Sequence, residues 1–140
     1  SKYIGEVADK HCITLRTSII GHELNGNRSL IDWFLGEEGS INGFKKAIFS
    51  GLPTKEIANI IEKFVIPSSE LHGLYHLSAE PIDKYKLLSM VANTYSKKID
   101  IIADIEYQID RSLNSQRFRE ITGYEPPEWQ VLINRMHEFK

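Results

Sequence analysis

Apolar residues recur along this chain at two spacings, near 3.6 and near 2, and the switches between them outline the elements. Tyr3, Ile4 and Val7 share a helical face, so residues 1–11 read as the end of a helix. Residues 12–20, CITLRTSII, are β-branched and mostly apolar, which predicts a strand of the buried parallel kind. GHELNGNRS, with two glycines and two asparagines, predicts a loop. Ser29 is placed to cap the next helix, with Asp32 three residues on, Trp33 and Phe34 facing inward, and Gly36 and Gly39 ending it. SINGFKKAIFSG reads as extended, in two short strands, before Pro53-Thr54. Thr54 is then expected to cap a helix reaching about Val65, with Glu56 in its positive first turn and Ile57, Ile61 and Phe64 as its stripe.

In the second half, GLYHLSA predicts a short strand with Leu74 and His76 on one face and Tyr75 and Leu77 on the other. Residues 83–96 read as a helix with Leu87, Leu88, Val91 and Tyr95 as its stripe, and KIDIIAD as another strand. NSQRFREITG predicts a short helix closed by Gly123, which tolerates a left-handed cap. In PPEWQVLINRMHEF, Pro127 suits a first helical turn, and Trp129, Leu132, Ile133 and Met136 form a buried face. Strands alternating with helices imply α/β layers. The strands are expected to be few and short, and no repeat or low-complexity tract divides the chain.

At 140 residues the chain is long enough to close one core. Its formal charge of −2 supplies no basic field, which argues against nucleic acid or an anionic membrane as the main partner. No apolar run approaches the roughly 18–20 residues of a membrane span. The single Cys12 rules out an internal disulfide and suits a reducing, cytoplasmic setting; its apolar neighbours predict core filling. His72 and His76 are four apart, but Gly73 and a strand pattern separate them, so no metal site is expected. GLPTKE lacks the G-x-G-x-x-G spacing that brings backbone up to a pyrophosphate, which excludes a self-sufficient dinucleotide-binding enzyme.

Five short motifs carry more specific chemistry, each beside a plainer alternative. Ser1-Lys2-x-x-Gly5-Glu6 opens the chain as an amphipathic turn, and Leu15-Arg16-Thr17-Ser18-x-x-Gly21 runs from strand to loop, with Arg16 equally suited to a strand-edge ion pair. Gly51-Leu52-Pro53-Thr54 enters a helix, where Thr54 is most simply a cap, and Gly73-x-Tyr75-His76-x-Ser78 follows as a strand. Asp110-Arg111-Ser112-Leu113-Asn114-Ser115, with Gly123, Pro126 and Trp129 beyond it, closes the series; Arg117 and Arg119 read as solvated helix charges.

In this order, over residues 1–136, the motifs resemble the dTDP-4-dehydrorhamnose reductase branch of the extended short-chain dehydrogenases/reductases. The resemblance implies that Lys2 is the lysine of the family's Y-x-x-x-K pair. Its tyrosine would lie four positions upstream, one helical turn away, where the ammonium lowers the phenol's pKa for proton transfer. It implies a small mixed α/β substrate lobe, residues 25–140, joined to residues 1–24 as the last helix and strand of a truncated Rossmann (doubly wound) domain. NADP or NAD would be the cofactor of the longer parent, touched here by Lys2, Thr17 and Ser18. A nucleotide-sugar would be the substrate, met by Asn25 and by Arg111 at its diphosphate. Ser112 departs from the family's R-P-x-x-S pattern, which has proline there.

The resemblance further implies hydride delivery to a keto carbon of a nucleotide-activated deoxysugar, in a protein that forms its complete site with a Rossmann domain and allows a homodimer. An epimerase or dehydratase of the same fold, and a non-catalytic regulatory subunit, stay open beside it. The chain by itself is expected to bind no dinucleotide tightly.

Overall fold

The computed structural model describes residues 11–26 and 28–139. The expected first helix, and Lys2 within it, lie outside these described residues. The α/β class is as expected, with short parallel pairs and one longer mixed sheet packed among five helices.

Strand β1 (Ile13–Arg16) pairs in parallel with β5 (Gly73–His76), with Ile13 opposite Gly73 and Arg16 opposite His76. The predicted strand is not continuous: it breaks at Thr17-Ser18 and resumes as β2 (Ile19–Ile20), which pairs in parallel with β4 (Leu52–Pro53). Its residues in β1 are half-buried rather than buried, and among the described residues β1 has one partner strand. Cys12, expected in the core, is exposed just ahead of β1. Apolar neighbours in sequence do not bury a residue that precedes the ladder.

Helix α1 (Leu30–Gly36) begins as predicted, with Ser29 accepting from the Asp32 N–H. Ile31 and Phe34 are fully buried, whereas Trp33 is 42% exposed. A seven-residue helix has room for one inward stripe, and positions 31 and 34 take it. SINGFKKAIF forms one strand, β3 (Ser40–Phe49), and not two. It lies between β6 (Ile82–Asp83), antiparallel, and β7 (Asp100–Asp110), parallel. β3 and β7 are ten and eleven residues long, so the expectation of short strands fails here. The two run in step to Phe44 and Asp104 and resume at Lys46 and Gln108. Only Lys45 fills that gap on β3, against Ile105, Glu106 and Tyr107 on β7, a bulge in which the Asp104 carboxylate accepts the Glu106 N–H.

Helix α2 (Thr54–Ile60) continues into a π-helical turn, Ile61–Val65, whose Ile66 N–H reaches the Ile61 carbonyl. The expected cap is displaced by one residue. Pro53 occupies the cap position with no side-chain hydrogen bond, and Thr54 is the first helical residue. Helix α3 (Lys84–Thr94) is capped by Asp83 and buries Leu87, Leu88 and Val91. Helix α4 (Gln116–Thr122) ends on Gly123 at φ 77°, a left-handed cap that a side chain would strain. Helix α5 (Trp129–Glu138) buries Trp129, Leu132, Ile133 and Met136, as its spacing predicts; Pro127 lies one residue before the cap position.

The core joins these helices to β3, β4 and β5 through Ile41, Leu52, Tyr75, Leu87, Phe118 and Leu132. One charge sits inside it. Glu56, read from sequence as a first-turn acid, is buried: one carboxylate oxygen accepts from the Tyr124 hydroxyl at 2.9 Å and the other from Arg135 at 3.2 Å. Burial, with the Glu56 charge, holds the Tyr124 phenol well above its ordinary pKa, so it stays a donor. This triad ties α2 to the α4–α5 connection and to α5. Tyr124→Phe is expected to destabilise the fold by about 1.5–3 kcal/mol, the range for a hydrogen bond to a charged partner, measured as a fall in urea midpoint at unchanged slope.

Candidate functional site

The step between β1 and β2 brings the motif residues Thr17 and Ser18 to the turn that follows β3. The Leu52 N–H donates to the Ser18 carbonyl at 2.8 Å, and a Cβ on Gly51 would stand 2.7 Å from that same oxygen. The L-R-T-S and G-L-P-T segments thus meet directly, and glycine at 51 is required by the close approach. The remaining motifs converge on buried serines. Ser78 of G-L-Y-H-L-S donates to Ser115 of D-R-S-L-N-S at 2.9 Å, and Ser50 accepts the Leu113 N–H at 2.8 Å. These serines tie the segment after β7 to the G-L-Y-H-L-S segment and to the turn after β3, and are structural.

A partly enclosed cavity of about 220 Å³ opens beside this junction, where β2, β3, β7 and the start of α3 meet. Ser18 and Arg111, predicted from separate motifs, both line it. Lys84 and Tyr107 line it too, against apolar walls that include Ile20, Ile48 and Phe49, and among the described residues no carboxylate is in the lining. Lys84 is held below the ordinary lysine pKa first by burial and then by the Arg111 charge. Among the described residues no salt bridge reaches Lys84 or Arg111.

Arg111 is held by its backbone, whose N–H donates to the Ile48 carbonyl at 3.0 Å. Ser112, standing where the family pattern has proline, uses the N–H that proline lacks. Its N–H and hydroxyl both donate to the Asp110 carboxylate, at 2.8 and 2.6 Å. These bonds hold Asp110 below its ordinary pKa.

The other predicted residues are placed differently. Thr17 neighbours Ser18 and donates to its carbonyl at 3.2 Å, but is not part of the cavity lining. Asn25 is exposed in the loop after β2 and is also outside the cavity. Arg117 is exposed as expected, and it also donates to the Leu74 carbonyl and lies over the Tyr75 ring; Arg119, expected to be solvated, is half-buried, pairs with Glu80 at 2.7 Å and donates to Ser115. Lys84 and Tyr107 were not singled out by sequence. Lys84 reads as an ordinary first-turn lysine, and only strand pairing carries it to Arg111.

The loop carrying Asn25 is anchored by a half-buried cluster. His22 Nδ1 lies 2.8 Å from Asp32 Oδ1, and His22 Nε2 lies 2.8 Å from the Tyr95 hydroxyl. Burial alone would raise the Asp32 pKa; the Glu23 N–H, His22 and Ser29 outweigh it and hold the carboxyl below its ordinary 3.8. Burial, then the Asp32 charge, pushes Tyr95 up to about 12.

No family model and no curated protein sequence matches this one. Solved structures do. A dTDP-4-dehydrorhamnose reductase from Bacillus anthracis str. Ames, in complex with NADP, matches with TM-score 0.77 at 16% identity, over 99% of this chain and 51% of that one. A dTDP-4-dehydrorhamnose reductase from Clostridium acetobutylicum ATCC 824 matches with TM-score 0.73 at 13% identity, over 91% and 48%. A UDP-N-acetylglucosamine 4-epimerase from Bacillus cereus matches with TM-score 0.71 at 14% identity, over 91% and 45%. The chain spans about half the length of these structures.

Two outcomes test the geometry. Gly51→Ala is expected to separate β4 from the Ser18 carbonyl and cost about 1–3 kcal/mol, with the Leu52 amide losing protection in hydrogen exchange. Because the Asp32 pKa is depressed on folding, its contribution is present above the unfolded value near 3.8 and is lost as pH falls through the folded one. Asp32→Asn should therefore be less stable than wild type at pH 7, with the gap between their urea midpoints closing toward pH 3. Over its described residues the chain has the fold of part of an extended short-chain dehydrogenase/reductase.

Proposed function

We propose that this chain is the substrate-side part of an NAD(P)-dependent reductase acting on a nucleotide-activated keto-deoxysugar, resembling dTDP-4-dehydrorhamnose reductase. The observation that carries this is the cavity shared by Ser18 and Arg111, whose described lining holds two cations, Lys84 and Arg111, and no carboxylate. An arginine fork suits a diphosphate because two N–H groups reach two phosphate oxygens at once. In this role Arg111, exposed at the cavity mouth, holds the diphosphate beside the apolar wall of Ile20, Ile48 and Phe49. Asn25 meets the sugar from the loop that the Asp32 cluster anchors, which requires that loop to fold over the ligand.

The residues present fit only one end of a dinucleotide. The hydroxyls of Thr17 and Ser18 suit the ribose or amide of a nicotinamide, whereas the sequence offers no Gly-rich turn for the phosphates. A bound nicotinamide supplies the hydride. Lys2 tunes the phenol of a tyrosine that belongs to the part of the protein ahead of Ser1. Residues 1–24 then complete a Rossmann domain, and residues 25–140 form the lobe that closes on the nucleotide-sugar.

The fold equally accommodates a sugar-nucleotide epimerase, since the epimerase from Bacillus cereus matches almost as well as the reductases do. Product analysis separates the two, because a reductase consumes its cofactor in step with product and an epimerase does not. The expected outcome for this chain is weak binding of a nucleoside diphosphate-sugar such as dTDP-glucose, followed by calorimetry or amide shifts. Arg111→Ala should weaken it by about ten-fold or more, the equivalent of one charge-assisted hydrogen-bond pair. An unchanged affinity would remove Arg111 from the role.

A further inference from the structure

Lys84 and Arg111 come from segments 27 positions apart in sequence and reach one cavity through a single residue, Ile48. Ile48 of β3 is opposite Asp83 on β6 and opposite Asp110 on β7. The cation follows its acid directly on each side: Asp83-Lys84 on one flank, Asp110-Arg111 on the other. Both acids are diverted. Asp83 spends its carboxylate on the Lys86 N–H as the cap of α3, and Asp110 spends its own on Ser112. The sheet therefore presents two cations to one small space and turns away the two carboxylates that stand beside them in sequence.

We infer that Lys84 is a second anion ligand, paired with Arg111 across the cavity so that each cation takes one phosphoryl group of a diphosphate. This rests on the diphosphate role of Arg111 and adds a residue and a selectivity to it. Lys84 is half-buried and Arg111 exposed at the cavity mouth; the two like charges repel, and an anion lying between them relieves both. A monophosphate engages one of them well; a diphosphate bridges both. At about 220 Å³ the cavity is below the roughly 300–1,000 Å³ of pockets that enclose whole ligands, so it suits a charged portion of a larger molecule. Ser18 and Tyr107 belong to the same lining, and a serine or tyrosine hydroxyl can donate to phosphate oxygens that the cations leave free. Lysine here acts as a point charge on a flexible stem, complementing the planar fork opposite.

The test uses inorganic pyrophosphate and inorganic phosphate as probes on the chain, with binding followed by calorimetry and by the Lys84 Cε and Nζ resonances. Wild type should bind pyrophosphate at least about ten-fold more tightly than phosphate. Pyrophosphate should also raise the Lys84 titration midpoint, a readout that a merely structural lysine would not give. Lys84→Gln should lose that ten-fold preference while changing phosphate affinity by less than about two-fold, and Lys84→Arg should restore it. Arg111→Gln should weaken both probes. If Lys84→Gln leaves pyrophosphate affinity unchanged while Arg111→Gln reduces it, the Lys84 role is overturned and the diphosphate role of Arg111 stands. If neither substitution changes binding, or wild type binds neither probe, both fall. Circular dichroism and urea midpoints matching wild type establish that a variant's loss is not one of folding.

Discussion

β3 is paired on both sides at Ile48, and the placement of the candidate site follows from that constraint. One neighbour, β6, runs antiparallel and is only two residues long; the other, β7, runs parallel for eleven. Both strands finish at the same level, so the residues that leave them, Lys84 and Arg111, emerge on either side of one backbone. Neither cation is positioned by a side-chain partner among the described residues. Both are positioned by main chain: the Arg111 N–H on the Ile48 carbonyl, and the capped start of α3 behind Lys84. The Cα positions are thereby fixed without a side-chain bond to either cation.

The same economy appears around the site. The Ser50, Ser78 and Ser115 hydroxyls are buried and all are satisfied, two with each other and one with a backbone amide. Unpaired, each would cost on the order of 1–3 kcal/mol; paired, they fix the segment after β7 against the ends of β3 and β5. Glu56 does similar work deeper in the molecule, where Tyr124 and Arg135 make a buried carboxylate tolerable. The polar interior is therefore concentrated where loops must be held still, and the apolar interior where helices meet strands.

Local pattern was a good guide wherever local chemistry decides. Ser29 and Gly123 end their helices as the sequence indicates, and the stripe of α5 is buried residue for residue. It failed where tertiary context decides. Trp33 is turned out because Ile31 and Phe34 already fill the inward face, and Cys12 is exposed at the start of the β1–β5 pairing, where its carbonyl accepts the Gly73 N–H. Glu56 looked like a helix-dipole charge because nothing near it in sequence announces Tyr124 or Arg135. The site divides in the same way. Ser18 and Arg111, which line one cavity, stand in motifs that the sequence singles out, and Asp32 is marked by its spacing from Ser29. Lys84 and Tyr107 are not singled out, since their relation to Arg111 exists only once β6, β3 and β7 are in register.

The bulge in β7 decides the chemistry of that register. Its three residues stand against one on β3, an excess of two, and an even excess leaves the in–out alternation of the strand intact. Tyr107, Ile109 and Arg111 therefore all reach the cavity. Had the excess been one, the strand would have arrived with the opposite parity. Glu106, Gln108 and Asp110 would then have taken the places of Tyr107, Ile109 and Arg111 beside Lys84. Which side chains this strand gives to the cavity is set by whether the excess in its bulge is odd or even.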